Sequence, residues 1–441
     1  MEFQSSLCRT QQRLQLRTAG ANISRGAEEA LVDRLPDDLL NHIYSLVPLQ
    51  DAARAACASR RFLLSWRHYP NLIFNVKTLG LNGTKLGFND ETSGYFSNTV
   101  DRILKNHSGI GMETFRLQLY PRANIDAHCL DSWIQLAINS GSRIQSLRLF
   151  SCAFRPTETF GCLRRLAHVF LHSVLVNEEE LGHLLSSSFA LEKLELFSCN
   201  EIVRLEIPST LSKLSLLRVL GCKILQAIEI NAPKLSTFHY GGAPLPSIAP
   251  NVVLLTLSSH TETVDTPMAP GKFLHLKYLD ILLSGNLIFP PSYDFFSLIS
   301  FINASPALES FVLRLKQDGL RHDSILAESD GHPKDIRQLE CRHDCLRKVK
   351  ITGFCSSKGL VELTSHILEN ASSLKCLTLD TTRDDERNFA MIHKCFTMSK
   401  DALAEAHRSL EAIRRYIIGK VPSNVCLKVL EPCKLCQPDI I

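Results

Sequence analysis

Two clusters of cysteine and histidine are the first residues in this 441-residue chain whose types and spacing could do chemistry. Cys433 and Cys436 form a C-x-x-C pair, and Cys341, His343 and Cys345 alternate over a short stretch. Thiolate and imidazole are zinc ligands, but a structural zinc takes four of them, normally as two well-spaced pairs. Here the clusters lie far apart in a region without other paired ligands, and the alternation over 341–345 is tight for one ion. Reduced thiols and no metal are expected. Asp384-Asp385-Glu386 offers neighbouring carboxylates, yet Arg383 and Arg387 flank it, and it reads as a solvated loop. No glycine loop precedes a Lys-Ser/Thr pair to cradle phosphate. No Gly-x-Ser-x-Gly elbow occurs, nor His-x-x-x-His with an intervening Glu. Neither a catalytic group nor a cofactor is expected.

Three other cysteines carry positional information. Cys152, Cys199 and Cys222 each stand three residues after a recurring phrase, apolar-x-x-apolar-x-apolar. The phrase appears as Met112-Phe115-Leu117, Ile144-Leu147-Leu149, Leu166-Val169-Leu171, Leu191-Leu194-Leu196 and Leu214-Leu217-Val219. It continues as Leu235-Phe238-Tyr240, Val252-Leu255-Leu257, Leu276-Leu279-Ile281, Leu308-Phe311-Leu313, Leu346-Val349-Ile351 and Leu374-Leu377-Leu379. Leu149, Leu171, Leu196, Val219 and Tyr240 follow one another at 22, 25, 23 and 21 residues, and later spacings are irregular. Such a period is that of a leucine-rich repeat, about 20–29 residues. The last two apolar positions alternate as a strand with one buried face must. A small thiol after it can bond neighbouring backbone, which explains these cysteines without metal or disulfide.

Helices are expected on some of the backs. Leu130, Trp133, Ile134, Ala137 and Ile138 follow helical spacing after a cap at Asp126, and Asn177 with Glu180 starts a helix carrying Leu181, Leu184 and Leu185. Residues 228–233 read instead as a short extended segment. Stacked repeats line a concave face with parallel strands, which suits a protein partner.

Ahead of the repeats, residues 31–75 read as a small helical module. Pro36 suits a first helical position, and Asp37 and Asp38 favour the positive end of the helix dipole. Leu39, Ile43, Leu46 and Val47 form one apolar stripe, and Pro48 stops the helix. An alanine-rich helix starts near Asp51, and Phe62, Leu63, Leu64 and Trp66 follow. A core of ~45 residues is too small to hide so much apolar surface, so part of it faces either a partner or the rest of the chain.

Composition limits the alternatives. Hydrophobic residues make up 45% and charged residues 21%, as in a globular protein, and a net charge of +4 without a basic tract does not point to nucleic acid. No apolar run of about 20 residues is available to cross a membrane. Residues 1–30 carry Arg9, Arg13, Arg17 and Arg25 and are expected to be a disordered tail. The odd cysteine count of 15, with no apolar secretory leader, points to reduced thiols in cytoplasm or nucleus.

Leu35-Pro36-x-x-Leu39-Leu40-x-x-Ile43-x-Ser45-x-Val47-Pro48, then Asp51-Ala-Ala-Arg54 and Cys57-Ala-Ser59-Arg60-Arg61-Phe62, resembles an F-box. Plant F-boxes of this type usually place Trp after the basic pair; this chain has Phe62 there and Trp66 four residues on. A second resemblance covers Cys345–Phe354, residues 360–371 and Leu374–Asp380, which are similar to the FBD-type tail of plant F-box proteins with leucine-rich repeats. Val421-Pro422 and Leu430-Glu431-Pro432-Cys433 fit grass members of that group. This tail reads as strand, helix, strand and an amphipathic helix carrying Leu410, Ile413 and Ile417.

The resemblance implies an α/β chain: a small all-α F-box module, then a leucine-rich-repeat solenoid with parallel strands on the concave face. The expected organisation is a tail at 1–30, an F-box at 31–75, a connecting segment at 76–110, repeats at 111–340, and an FBD-like region at 341–436 continuing the array. It also implies a non-enzymatic substrate-recognition subunit of an SCF-type (Skp-cullin-F-box) ubiquitin ligase. The F-box would bind a Skp-type adaptor, and through it cullin, while the repeats hold a protein substrate. The adaptor contacts implied are Leu35, Pro36, Leu39, Ile43, Leu46, Val47, Pro48, Leu49, Cys57 and Phe62, some of which must instead hold the module together. No substrate-binding residue is assigned. A non-degradative scaffold protein is the alternative.

Overall fold

A backbone that buries every second side chain must expose the others, and a single strand has no way to satisfy its own amides. Each phrase named above becomes a strand, and each strand is paired. The computed structural model describes residues 35–57, 60–79, 90–108, 112–118, 129–130, 132–135, 144–156, 163–241, 251–259, 273–285, 294–317, 324–327, 341–382 and 398–436. The tail at 1–30, Asp126, Ala137 and Ile138 of one expected helix, and the acidic run at 384–386 lie outside them; Leu130, Trp133 and Ile134 are helical and buried. The chain divides into two units, Met1–Leu214 and Ser215–Ile441.

The first unit opens with three short helices, α1 (Asp37–Leu46), α2 (Leu49–Ala56) and α3 (Arg60–Trp66). Then come β1 (Asn71–Phe74), α4 (Asp90–Asn106), β2 (Thr114–Gln118), β3 (Ser146–Phe150), β4 (His168–His172), α5 (Glu178–Ser186), β5 (Lys193–Phe197) and β6 (Arg204–Ile207). Strands β1 to β5 pair in chain order, all parallel. Their register stacks Leu72, Phe115, Leu147, Val169 and Leu194 in one buried row and Phe74, Leu117, Leu149, Leu171 and Leu196 in the next. Helix α5 begins as its sequence predicts. Asn177 Oδ1 accepts from the Glu180 amide at 2.9 Å, and Glu180 Oε2 accepts from the Asn177 amide at 2.8 Å, a reciprocal cap.

The second unit holds β7 (Leu216–Leu220), β8 (Ala227–Ile230), β9 (Thr237–Gly241), β10 (Leu254–Ser259), β11 (Tyr278–Gly285), α6 (Ile299–Asn303) and β12 (Ser310–Gln317). It ends with β13 (Lys348–Thr352), α7 (Lys358–Asn370), β14 (Cys376–Asp380), α8 (Lys400–Tyr416) and β15 (Cys426–Leu430). Strands β7 and β9 to β15 form its parallel ladder. The strand–helix–strand–helix reading of the tail holds, with Leu410, Ile413 and Ile417 buried. Buried Glu405 of α8 ties the loop before α7: its Oε1 accepts from the amide and the hydroxyl of Ser356, both at 2.8 Å, and Arg408 bonds its other oxygen. Three strands were not anticipated, β6 among them. β1 ends the segment read as helical, and β15 follows the last phrase.

Five strands end alike. Ser151, Ser173 and Ser198 follow β3, β4 and β5 with φ of 52°, 53° and 51°, and Gly221 and Gly353 follow β7 and β13 with 69° and 71°. This left-handed residue turns the next side chain back under the sheet, where Cys152, Val174, Cys199, Cys222 and Phe354 are buried. The expected thiol bonds are present: Cys199 Sγ donates to Phe197 O at 3.6 Å and Leu171 O at 3.7 Å, and Cys222 Sγ to Leu220 O at 3.9 Å. At Gly353 a Cβ would stand 2.2 Å from the Leu315 carbonyl oxygen.

Buried His343 and His366 lie edge to face, 5.7 Å apart. Burial, with His366 adding to it, pulls the His343 imidazole down to about 4, and burial lowers His366 as well.

Gly353→Ala is expected to lower the unfolding free energy by about 2–4 kcal/mol, since both backbone conformation and space oppose a Cβ. Ser173→Gly trades left-handed strain for chain entropy and should change stability by about 0 to +1 kcal/mol, both read by denaturant unfolding. The folded state keeps His343 neutral while the unfolded chain protonates it near its ordinary value of 6.5. Stability should therefore fall as pH drops from 6.5 towards about 4. His343→Leu should remove this loss, which comes to roughly 3 kcal/mol over that pH range, measured as the difference between the two unfolding-versus-pH curves.

Candidate functional site

Helix α1 carries two apolar stripes. Leu40 and Tyr44, four residues apart, point into the module and are buried. Leu39, Ile43 and Leu46 form the other stripe and are 50%, 44% and 74% exposed. The stripe that dominates the sequence pattern is thus not the core of the module. A helix apolar on both sides needs two partners, and the module supplies one.

The inner side is closely held. The Tyr44 hydroxyl donates to Ala52 O at 3.3 Å, and its ring lies 5.6 Å from Phe62. Burial pushes the Tyr44 hydroxyl up, so it remains a donor. Ala52 and Ala56 are small enough for α2 to come close, and Leu49 is buried beside them. Val47 turns extended before Pro48, and its carbonyl accepts from the Tyr69 hydroxyl at 2.7 Å. Trp66 stacks near Tyr69, 5.7 Å between rings. Arg61 bonds the Leu35 carbonyl and, at 3.0 Å, Asp37 Oδ1, which ties α3 to the start of α1. The Tyr69 carbonyl meets His107 Nε2 at 2.9 Å, and the Ser108 amide donates to Arg67 O at 2.9 Å, so the module is anchored to the segment after α4.

The ten expected adaptor residues therefore divide. Leu39, Ile43, Leu46, Pro36 and Pro48 are exposed, Leu35, Val47, Cys57 and Phe62 are half-buried, and Leu49 is buried. Burial also holds the Cys57 thiol above its ordinary value. Leu63 and Leu64 of α3, outside the ten, are exposed as well. Their signal was an apolar run longer than one helix face absorbs, Phe62-Leu63-Leu64 next to Trp66.

Among the described residues no three His, Cys, Asp or Glu side chains form a group that could hold a metal ion. Cys345 is exposed while His343 is buried, so alternate residues of that cluster point to different surroundings. Cys433 Sγ lies 3.6 Å from Cys436 Sγ, and Cys436 packs against Met398 and Ala406. No helix among the described residues is long and apolar enough to cross a membrane.

Two protein-family models match this chain. The F-box domain family matches residues 32–74, and the family described as At1g61320/AtMIF1, LRR domain, matches residues 136–244 and 240–434. An Arabidopsis thaliana protein named for its F-box, FBD and LRR repeats is 25% identical over 437 residues, covering 85% of this chain and 93% of the relative. A second one so named is 24% identical over 429 residues, covering 84% and 94%. An FBD-associated F-box protein of the same plant is 23% identical over 256 residues, 52% of each chain.

The two stripes of α1 should separate on mutation. Leu40→Ala is expected to cost about 2–4 kcal/mol of stability. Leu46→Ala should cost under about 0.5 kcal/mol, because that side chain has little to lose on folding. Chemical denaturation of the two variants beside the parent chain checks the division.

Proposed function

Since the chain belongs to the plant F-box proteins with leucine-rich repeats, we propose that it is the substrate-recognition subunit of an SCF-type ubiquitin ligase. The outer stripe of α1 carries this reading. Leu39, Ile43 and Leu46, with Leu63 and Leu64 of α3, are apolar side chains that stay 42–74% exposed among the described residues. Burying a leucine at an interface is worth about 1.5–3 kcal/mol, so a few of them supply most of a specific contact. In this reading they seat a Skp-type adaptor, with Pro36 and Pro48 framing the helix ends. Leu49 belongs to the packing of the module instead.

The parallel ladders would hold the protein substrate, and the adaptor would link them to cullin and a charged conjugating enzyme. The chain then contributes no chemistry of its own. It raises the effective concentration of substrate lysines near the transferred ubiquitin. It needs no cofactor and works in cytoplasm or nucleus. A non-degradative scaffold role differs only in the absence of cullin.

The test is co-purification of the full chain with a plant Skp-type adaptor and cullin. Leu39→Ala/Leu46→Ala should weaken adaptor capture at least about thirtyfold without changing the unfolding curve. Capture that survives this double substitution removes the stripe from the interface. Adaptor binding without cullin in the complex favours the scaffold.

A further inference from the structure

The side chains that β2 to β5 turn away from the core form two in-register rows. One runs Arg116, Arg148, Phe170, Glu195, and the other Gln118, Phe150, His172, Phe197. Their rings form a continuous cluster: Phe150 lies 5.1 Å from Phe170, Phe170 lies 5.1 Å from Phe197, and His172 stacks between Phe150 and Phe197 at 5.9 and 6.0 Å. Two guanidinium groups lie over it, Arg116 at 5.1 Å from the Phe150 ring and Arg148 at 5.9 Å from the Phe170 ring.

Arg116 and Arg148 are direct register partners on neighbouring parallel strands. Strands in a sheet run about 4.8 Å apart, and like charges facing each other at that spacing oppose pairing. Among the described residues neither guanidinium has a carboxylate partner. Arg116 reaches Gln118 Oε1 at 3.3 Å, and its Nε is buried without an acceptor. Arg148 meets His168 Nδ1 at 3.4 Å. The carboxylate of these rows, Glu195, is engaged by His168 Nε2 at 2.8 Å. Both arginines are half-buried, where an ion pair is stronger than in open water.

We infer that this face takes an acidic protein segment carrying an aromatic side chain. Its carboxylates relieve the Arg116–Arg148 repulsion, since a planar guanidinium accepts a carboxylate in a two-point bond. Its ring extends the Phe150–Phe170–Phe197 cluster by edge or offset contact. Lys193, beside Glu195 on β5, adds a further cation. Single-stranded nucleic acid also stacks on rings beside basic groups, but Glu195 interrupts the row, and the net charge of +4 provides no basic track along the chain. The inference rests on the reading of the ladders as the partner-holding part.

The experiment uses the full chain co-expressed with a Skp-type adaptor, with adaptor retention scored in every sample. Fluorescence anisotropy follows four labelled probes: an alternating Glu/Phe peptide, the same peptide with Lys for Glu, the same with Ser for Phe, and oligothymidine. The Glu/Phe peptide should bind, the other three at least about tenfold more weakly, and added salt should weaken it. Arg116→Gln/Arg148→Gln and, separately, Phe170→Ala should each lower its affinity about tenfold or more. The double arginine variant should keep or raise the thermal midpoint, because a repulsion is removed. No binding of the Glu/Phe peptide, equal binding of the Lys peptide, tighter binding of oligothymidine, or affinity unchanged in the double variant each overturns the inference. Failure of peptide binding with the adaptor retained overturns this assignment alone; peptide binding without adaptor overturns the ligase reading alone.

Discussion

A five-residue parallel strand has neither the hydrogen bonds nor the apolar cover to hold itself, so each strand of this protein depends on its neighbour being in register. The register is what places Leu147 beside Val169 and Leu149 beside Leu171, and it fails by a whole face if it slips one residue. The left-handed residue at the strand exit protects it. Ser151, Ser173, Ser198, Gly221 and Gly353 each turn the chain so that the next residue dives under the sheet and locks the repeat. At Gly353 the approach of the Leu315 carbonyl admits no side chain at all. At the serines the fold accepts about 1–2 kcal/mol of strain per position.

The same alternation that builds the core frees the outward positions from packing, and function can occupy them. In the first unit these positions hold rings together with guanidinium groups that have no carboxylate partner among the described residues. In the second, Arg314 makes a two-point bond to Asp280 across neighbouring strands, so charge is compensated from within. That contrast between a settled and an unsettled row directs attention to β2–β5 rather than to the arrays in general.

Helix α1 follows an equivalent logic on a smaller scale. Leu40 and Tyr44 satisfy the module; Leu39, Ile43 and Leu46 are surplus to it. Sequence pattern alone sees one strong stripe and cannot say which side of the helix is turned inward. That choice was made by Ala52, which lets the Tyr44 hydroxyl reach its carbonyl, and by Phe62, whose ring meets Tyr44. Which side chains of α3 stay exposed was open for the same reason: a seven-residue helix has too few turns for periodicity to define a face.

Much of this protein is determined by local residue pattern. The apolar alternation of each phrase, the Asn177–Glu180 cap and the post-strand cysteines depend on neighbours within a few residues, and they stand in the structure as read. β1 and β15 escaped because one sits against the helical module and the other follows a segment without the repeat phrase. Tertiary structure decided what the pattern leaves open: which stripe of α1 is the more exposed, and that Arg116, Arg148, Phe150, Phe170 and Phe197 meet on one face. Those residues are spread over some eighty positions, and only the register of four strands brings them together. Side-chain type is a local property, while adjacency across strands is set by long-range pairing that no short window of sequence contains.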